Sequence, residues 1–301
     1  MVSFLEIYKF LLHGLMKMAG VRPQAIEIEP GTVINIWVPN ETMKNKPAVV
    51  FLHGFAADGI ITWQFQVLAL AKKCAIYVPD FLFFGSSITD KTDRSVSFQA
   101  ECMAKALRQL GVRRCTVVGL SYGGMVGFKM AEMYPDLVES MVVTCSVMAL
   151  TQSISNAGLE RIGFSSWAEY LVPNSVQGVK VLFKIACYDL PWLPNCIFKD
   201  CFKTMFNNRK EKNELLQALV ISDKEFYIPH LPQKIHLLWG ENDLIFDTNT
   251  AYNLKAQIGE NATAHFIEKS GHLPQLERPW VYNKHLKKIL SSLWEENGCK
   301  N

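Results

Sequence analysis

A serine occupies the centre of the Gly-x-Ser-x-Gly motif G-L-S-Y-G at residues 119–123. An apolar run precedes the motif and a helical pattern follows it, so the motif is expected to form the turn between a buried strand and a helix. Such a turn strains the backbone of the serine and raises its hydroxyl above the sheet, and the two glycines let neighbouring segments approach closely. Ser121 is therefore the candidate nucleophile.

A serine hydroxyl needs an adjacent base at neutral pH, and the chain has seven histidines. His272 lies in the loop E-K-S-G-H-L-P after a predicted strand, where parallel sheets place catalytic groups. It is the candidate base, and a solvated loop histidine is the alternative. Structural roles or no supported role are expected for the other histidines: His13, His53, His230, His236, His265 and His285.

An acid is expected between the serine and the histidine in chain order, also after a strand. The run L-L-W-G-E-N-D-L-I-F-D offers Glu241, Asp243 and Asp247. Glu241 lies too close to the end of the predicted strand, and Asp247 is placed to cap the next helix. We predict that Asp243 orients the imidazole and stabilises its protonated form.

The tripeptide H-G-F at 53–55 ends the first long apolar strand. Its position predicts that the backbone N–H of Phe55 points towards the serine, together with the N–H of Tyr122, the residue after the nucleophile. These two donors would form an oxyanion hole. The side chains of both residues are then free to shape a pocket.

Short apolar runs alternate with helical patterns along most of the chain, which predicts repeated βαβ units and a mostly parallel central sheet flanked by helices. Strands are predicted at 26–29, 33–38, 48–53, 74–79, 115–120, 141–146, 235–239 and 264–268, and helices at 96–110, 122–134 and 279–294. Between 150 and 232 the alternation stops, and an aromatic, proline-punctuated segment predicts short helices. The expected organisation is an N-terminal amphipathic helix over 1–25, one α/β core over 26–149 and 233–301, and a helical segment over 150–232 inserted in that core.

Composition excludes several classes of protein. Hydrophobic residues make up 49% and charged residues 20%, which is typical of a globular chain. The net charge is only +3, without a concentrated basic run, which argues against nucleic acid as a partner. The cysteines are scattered without the spacing of a zinc site, so no metal is expected, and a reducing, cytoplasmic location is favoured. These are Cys74, Cys102, Cys115, Cys145, Cys187, Cys196, Cys201 and Cys299.

The first twenty residues are apolar but lack a basic start and are interrupted by Glu6, Lys9 and His13, so neither a signal peptide nor a membrane span is expected. Their apolar residues recur at helical spacing. A helix packed on its own domain is the favoured interpretation. Peripheral membrane contact through residues 1–20 is the alternative.

Taken together, the motifs H-G-F-A-A-D-G, D-F-L-F-F-G-S-S, G-L-S-Y-G-G, W-G-E-N-D and S-G-H-L-P-Q-L-E-R-P resemble those of α/β-hydrolase-fold serine hydrolases, over residues 26–295. The chain is most similar to plant monoacylglycerol-lipase-like and carboxylesterase-like members, so the resemblance implies a plant source. It also implies that the inserted segment is a cap and that no cofactor is needed. Ser121, Asp243 and His272 would be the triad. Epoxide hydrolases of this fold carry aspartate where Ser121 stands, and C–C bond hydrolases commonly carry tryptophan where Leu273 stands.

The predicted function is hydrolysis of a carboxylic ester of a hydrophobic small molecule or monoacylglycerol through an acyl-enzyme. The predicted pocket residues are Phe55, Tyr122, Met125, Met148, Trp167 and Leu273. Burial of these side chains in an ordinary core is the alternative. A small-molecule receptor of the strigolactone or karrikin type, or an enzyme of C–C cleavage, acyl transfer or cyclisation, also fits the motifs. The sequence leaves the oligomeric state open.

Overall fold

The computed structural model describes residues 3–296. Its strands are β1 (Val21–Glu29), β2 (Thr32–Pro39), β3 (Ala48–Leu52), β4 (Ala75–Pro79), β5 (Ile88–Thr89), β6 (Cys115–Leu120), β7 (Val138–Thr144), β8 (Leu150–Thr151), β9 (Val220–Ile221), β10 (Lys234–Gly240) and β11 (Ala262–Ile267). Its helices are α1 (Phe4–Ala19), α2 (Gly59–Leu70), α3 (Val96–Gln109), α4 (Tyr122–Met133), α5 (Gln152–Ile162), α6 (Trp167–Leu171), α7 (Val176–Ala186), α8 (Asn195–Met205), α9 (Arg209–Leu219), α10 (Thr248–Ile258), α11 (Pro274–Glu277) and α12 (Pro279–Glu296). Short 3-10 turns cover Glu41–Met43 and Gly259–Asn261. Cys299 lies outside the described residues.

The strands form one large sheet in the order β1-β2-β4-β3-β6-β7-β10-β11, and β5 pairs with β2. From β4 to β11 every neighbouring pair is parallel, whereas β1 and β2 are antiparallel. All six residues of β6 are buried, as expected for a strand covered by helices on both faces. The predicted mostly parallel α/β sheet is therefore confirmed.

The order of the strands brings two loops together. Strand β3 lies between β4 and β6, so the chain reverses its direction of winding at β3. Leu52 at the end of β3 is paired with Gly119 near the end of β6. The loop after β3 and the turn after β6 therefore leave the sheet side by side, at the kind of position where α/β sheets bind ligands.

A second pair of loops leaves the same edge further along the sheet. Gly240 at the end of β10 is paired with Ile267 at the end of β11. The loops that carry Asp243 and His272 therefore start next to each other. Asp247 caps α10, because its side chain accepts a hydrogen bond from the N–H of Thr250, as the sequence predicts.

The segment between β7 and β10 contains five helices, α5 to α9. Two-residue strands, β8 and β9, pair in parallel at its base through Leu150 and Val220. The sequence predicts the helices but not these strands, because two residues are too short for a hydrophobic period. Helix α2 is also not predicted, since it is buried on most sides and so lacks a clear amphipathic pattern.

The first strand begins earlier than predicted. The sequence places the N-terminal helical segment at 1–25, whereas α1 ends at Ala19 and β1 already begins at Val21. Ser3 caps α1 through the N–H of Glu6, and Gly20 ends the helix in the left-handed conformation, with φ 97°. Strand β1 begins at Val21, paired with Pro39. The strand tolerates Pro23 because β1 is at the edge of the sheet, where a missing N–H donor costs little. Among residues 3–296, no helix combines the length and apolar character needed to cross a bilayer.

Candidate active site

Ser121 stands between β6 and α4 with φ 51° and ψ −118°, a strained backbone for a residue with a side chain. Its N–H donates to the carbonyl of Thr144 at 2.9 Å. Its own carbonyl accepts hydrogen bonds from the N–H of Gly124 at 2.8 Å and from the hydroxyl of Ser146 at 2.5 Å. These contacts hold the turn in place. The sequence motif did not single out Ser146, which approaches from the loop after β7.

The two glycines of the motif are required by close backbone contacts. A Cβ atom on Gly119 would lie 2.5 Å from the carbonyl oxygen of Gly123. A Cβ atom on Gly123 would lie 2.6 Å from the carbonyl oxygen of His53, directly after β3. Gly119 therefore lets the strand approach the start of α4, and Gly123 lets the turn pack against the end of β3 and the residue after it.

Asp243 and His272 form a buried hydrogen-bonded pair, with Oδ2 of the carboxylate 2.8 Å from Nδ1 of the imidazole. The other carboxylate oxygen, Oδ1, accepts hydrogen bonds from the N–H groups of Ile245 at 2.8 Å and Phe246 at 3.2 Å. The ring of His272 therefore donates from Nδ1 to Oδ2 of Asp243, so the ring proton is on Nδ1. The other nitrogen, Nε2, carries the free lone pair and is the one that can accept a proton.

Ser121 and His272 line the same cavity, which has a volume of about 200 Å³. The inserted segment covers it with side chains such as Trp167, Tyr170 and Leu182. Within the described part of the chain, no Asp, Glu, Lys or Arg lines this cavity. Most of the wall is apolar, and its polar residues, Thr62, Ser121, Gln275 and His272 among them, include no carboxylate, ammonium or guanidinium group.

Phe55 and Tyr122 also line the cavity. Tyr122 is the first residue of α4, so its N–H has no partner inside the helix. Among residues 3–296, neither of these two N–H groups has a protein acceptor. Two unpaired donors beside a serine hydroxyl are suited to hold an oxygen that gains negative charge.

His53 has a structural position behind these donors, as the sequence predicts. Its Nε2 accepts a hydrogen bond from the N–H of Phe81 at 3.0 Å, and its Nδ1 lies 2.6 Å from the carbonyl oxygen of Gly54. The ring is therefore neutral, with its proton on Nδ1. Burial lowers the pKa of His53 to about 4. The ring joins the loop that carries Phe55 to the loop after β4.

Five of the six predicted pocket residues line the cavity: Phe55, Tyr122, Met125, Trp167 and Leu273. The prediction for Met148 is wrong. Cys145, directly after β7, has φ 46°. The chain then turns so that Met148 borders two surface clefts, one of them lined by α10. Met148 lies away from the cavity because of the direction in which the loop after Cys145 runs, and this direction cannot be predicted from the residue types in the loop.

The loop of His272 is tied to the inserted segment by contacts that sequence reasoning missed. The N–H of His272 donates to the carbonyl of Ala186, at the end of α7, at 2.8 Å. Glu277 in α11 accepts from the N–H of Gly271 at 2.8 Å and from the N–H of Tyr188 at 2.7 Å. One carboxylate thus bridges the histidine loop and the residues after α7. The only signal in the sequence is the acid in S-G-H-L-P-Q-L-E-R-P, close behind the histidine.

Cys145 lies behind the buried pair, so that Cys145, Asp243 and His272 place candidate ligand atoms within 4.8 Å of one another. The arrangement does not suit a metal ion. The carboxylate and imidazole are already in hydrogen-bond contact, with Nδ1 as donor. Burial, assisted by the charge of Asp243, raises the pKa of the Cys145 thiol well above its usual value, whereas a metal would need the thiolate.

Residues 47–178 match the model of a family described as alpha/beta hydrolase fold. Human epoxide hydrolase 4 is 21% identical over 80% of this chain and 71% of its own length. A karrikin insensitive 2 receptor from Petunia hybrida is 23% identical, over 77% of this chain and 87% of the receptor. A monoacylglycerol lipase from Xenopus laevis is 22% identical, over 85% and 79%.

Two solved structures have the same fold at low sequence identity. A protein of Acinetobacter baumannii AYE, described as a candidate lipase, superposes with a TM-score of 0.84 at 19% identity and covers 96% of this chain and 97% of its own. A bacterial membrane phospholipase A superposes with a TM-score of 0.79 at 22% identity, over 96% and 91%. These similarities show the fold of the chain, and a shared fold does not define the reaction that a protein catalyses.

Proposed function

On the alpha/beta hydrolase fold of this chain, we propose a serine hydrolase that cleaves an uncharged, apolar carboxylic ester through an acyl-enzyme. One observation carries the proposal. The strained Ser121 and His272 line one apolar cavity, and Asp243 is hydrogen-bonded to His272, although the three residues follow three different strands. A carboxylate that orients an imidazole, together with a serine as nucleophile, makes up a catalytic triad.

In the proposed reaction, Ser121 Oγ attacks the carbonyl carbon of the ester while His272 Nε2 takes the hydroxyl proton. The N–H groups of Phe55 and Tyr122 hold the oxyanion of the tetrahedral intermediate. When the intermediate collapses, His272 returns the proton to the leaving alcohol and an acyl-serine remains. Water then attacks the acyl group by the same steps and releases the acid. Asp243 keeps the imidazole in the required tautomer and stabilises its charged form.

The lining of the cavity supports the substrate class. A charged substrate would lose its hydration without meeting a charged partner there, because none of the described Asp, Glu, Lys or Arg residues lines the cavity. An acyl chain can be buried against the aromatic and aliphatic wall at about 0.8 kcal/mol per methylene. A monoacylglycerol or another small hydrophobic ester fits this chemistry, and a relative named as a monoacylglycerol lipase is in agreement.

Epoxide opening is less well supported, although several relatives are named as epoxide hydrolases. The epoxide hydrolases that resemble this fold use a carboxylate in the turn after β6, and here the residue is Ser121.

A second candidate function is a small-molecule receptor with slow hydrolysis. It is favoured by the direct contact between His272 and the inserted segment at Ala186, because a ligand that changes the histidine loop would also move α7. The similarity to a karrikin receptor is in agreement with this candidate. A receptor and an esterase differ in turnover, since a receptor signals through a change of conformation and an esterase releases product continuously.

Labelling with a fluorophosphonate, followed by turnover of monoacylglycerols of graded chain length and of aryl esters, tests the proposal. We expect labelling and steady-state turnover in the natural protein and neither in Ser121→Ala. Ser165→Ala, at an exposed serine outside the cavity, is the matched control and should behave as the natural protein does. Full turnover in Ser121→Ala would overturn the mechanism. Labelling with a large ligand-dependent change in melting temperature but negligible turnover would favour the receptor.

A further inference from the structure

Helix α1 has two apolar faces. Leu5, Leu12 and Met16 are buried against the rest of the protein, which accounts for one face. Six large apolar side chains of the same helix are exposed: Phe4, Ile7, Phe10, Leu11, Leu15 and Met18. An ordinary surface helix packs one apolar face and exposes a polar one, so the exposed set needs its own explanation.

The six exposed side chains form one stripe. Successive residues of an α-helix are about 100° apart around its axis, which places all six within a sector of about 140°. The polar residues Glu6, Lys9, His13 and Lys17 occupy a separate sector. We call the exposed set the outer stripe. Its continuity along the helix marks it as a contact surface, because scattered exposed apolar residues are common but contiguous patches are not.

The outer stripe is one helix wide. A helix of 16 residues is about 24 Å long, so the stripe is a strip of about 24 Å by about 10 Å. A stable protein interface buries about 800 Å² of accessible surface on each partner and usually draws on more than one helix face. A bilayer needs no such area, because each apolar side chain that enters the acyl region is removed from water independently.

Exposed lysines outnumber exposed acids on α1 and the helix next to it. Within α1, Lys17 and Glu6 are both exposed and border the outer stripe on its polar side. Helix α8 contacts α1, since the N–H of Phe4 donates to Asp200 at 2.6 Å, and α8 adds the exposed Lys199 and Lys203. Lysines next to an inserted apolar face attract anionic headgroups.

The opposite face of α1 reaches the cavity. Leu5 lines it together with Cys201 and Met205 of α8. The ion pair between Lys9 and Asp58, with 2.8 Å between Nζ and the carboxylate, ties α1 to the start of α2. The helix is therefore part of the cavity wall on one side and of the outer surface on the other.

We propose that the outer stripe docks on the surface of a lipid bilayer, with α1 lying in the headgroup region and the cavity next to the membrane. Apolar molecules then pass between the acyl layer and the cavity along the edge of α1. The proposal does not depend on ester chemistry, since docking is measured without turnover.

Flotation of the full chain with vesicles tests the proposal. The double variant Phe10→Gln and Met18→Gln changes side chains that are 77% and 79% exposed and support no core contact. The matched control, Ile88→Gln with Trp280→Gln, changes two side chains that are 58% and 86% exposed and lie outside α1. Vesicles are pure phosphatidylcholine or contain about one quarter phosphatidylglycerol, at low salt and at about 0.5 M NaCl.

We expect the natural protein and the control to float with vesicles, more strongly when phosphatidylglycerol is present at low salt. The α1 variant should partition at least about tenfold less, with an unchanged melting temperature and unchanged turnover of a short soluble ester. Equal partitioning of the α1 variant and the natural protein would overturn the proposal. So would a dimer that Phe10→Gln and Met18→Gln dissociate in light scattering, because the stripe would then belong to a second copy.

Discussion

The backbone N–H of His272 donates a hydrogen bond to the carbonyl oxygen of Ala186, 2.8 Å away, at the end of α7. The candidate base is thereby held by the inserted helices as well as by the strand that precedes it. Glu277 reinforces this link by accepting from Gly271 on one side and Tyr188 on the other. Any movement of α7 relative to the sheet must therefore shift the histidine loop.

Glu277 is expected to be a positioning residue. Glu277→Ala removes the acceptor of three N–H groups, those of Gly271, Tyr188 and Asp189. We expect kcat to fall about tenfold to a hundredfold while KM for a short ester changes little, because Glu277 does not line the cavity. Glu277→Gln keeps one acceptor oxygen and should recover part of kcat. The comparison is with Glu241→Gln, an exposed acid near the same edge of the sheet. Equal kcat in Glu277→Ala and the natural protein would show that the bridge has no role in catalysis.

Asp243→Asn tests the orientation of the imidazole. The amide oxygen can still accept from Ile245 and Phe246, so the fold should persist. The amide nitrogen then faces His272 and favours the wrong tautomer, and we expect kcat to fall by about 10³-fold to 10⁴-fold. Steady-state kinetics and a melting curve on the same preparation separate the two effects. A variant with near-normal kcat would mean that another group orients the ring.

Gly123→Ala tests the close packing of the turn that carries Ser121. The added methyl group meets backbone oxygens of Leu52 and His53, which cannot move without distorting β3, so we expect a loss of about 3 kcal/mol or more in the free energy of unfolding. Gly14→Ala in α1 is the matched control, because nothing lies near its Cβ position and alanine favours a helix. Urea denaturation should show opposite signs for the two variants. Equal stability of Gly123→Ala and the natural protein would contradict the proposed contact.

The buried His53 is expected to make the stability of the protein depend on pH. The pKa of the buried ring is about 4, against about 6.5 in the unfolded chain, so the unfolded state binds more protons between these values. His53 therefore makes the protein less stable as the pH falls from about 6.5 to about 4, by about 3 kcal/mol in total. Burial raises the pKa of Asp80, so this carboxyl group has the opposite effect: it makes the protein more stable as the pH falls, over an overlapping pH range.

The variant His53→Gln separates the contribution of His53 to the pH dependence from that of Asp80. His53→Gln can keep both hydrogen bonds without titrating, so its unfolding free energy should fall less on acidification than that of the natural protein. Denaturant titrations at a series of pH values measure the difference, to which Asp80 contributes equally in both proteins. Parallel curves for the two proteins would exclude His53 as the cause.

Much of the site follows from local sequence, because the relevant interactions span few residues. A strand, a tight turn and a helix around Ser121 are specified by an apolar run, two glycines and a helical period within one stretch of chain. The same is true of the loops that carry Phe55, Asp243 and His272, each directly after a predicted strand. Asp247 as a helix cap is local in the same way.

Contacts between segments that are distant in the chain are determined only by the tertiary structure. The pairing of β10 with β11 brings Asp243 to His272, and the direction of the chain after Cys145 takes Met148 away from the cavity. The bridge through Glu277 and the contact with Ala186 depend on where α7 ends in space. The outer stripe of α1 is also a tertiary result. Apolar periodicity predicts an amphipathic helix, but only packing determines that Leu5 and Leu12 are covered while Phe10 and Met18 remain exposed.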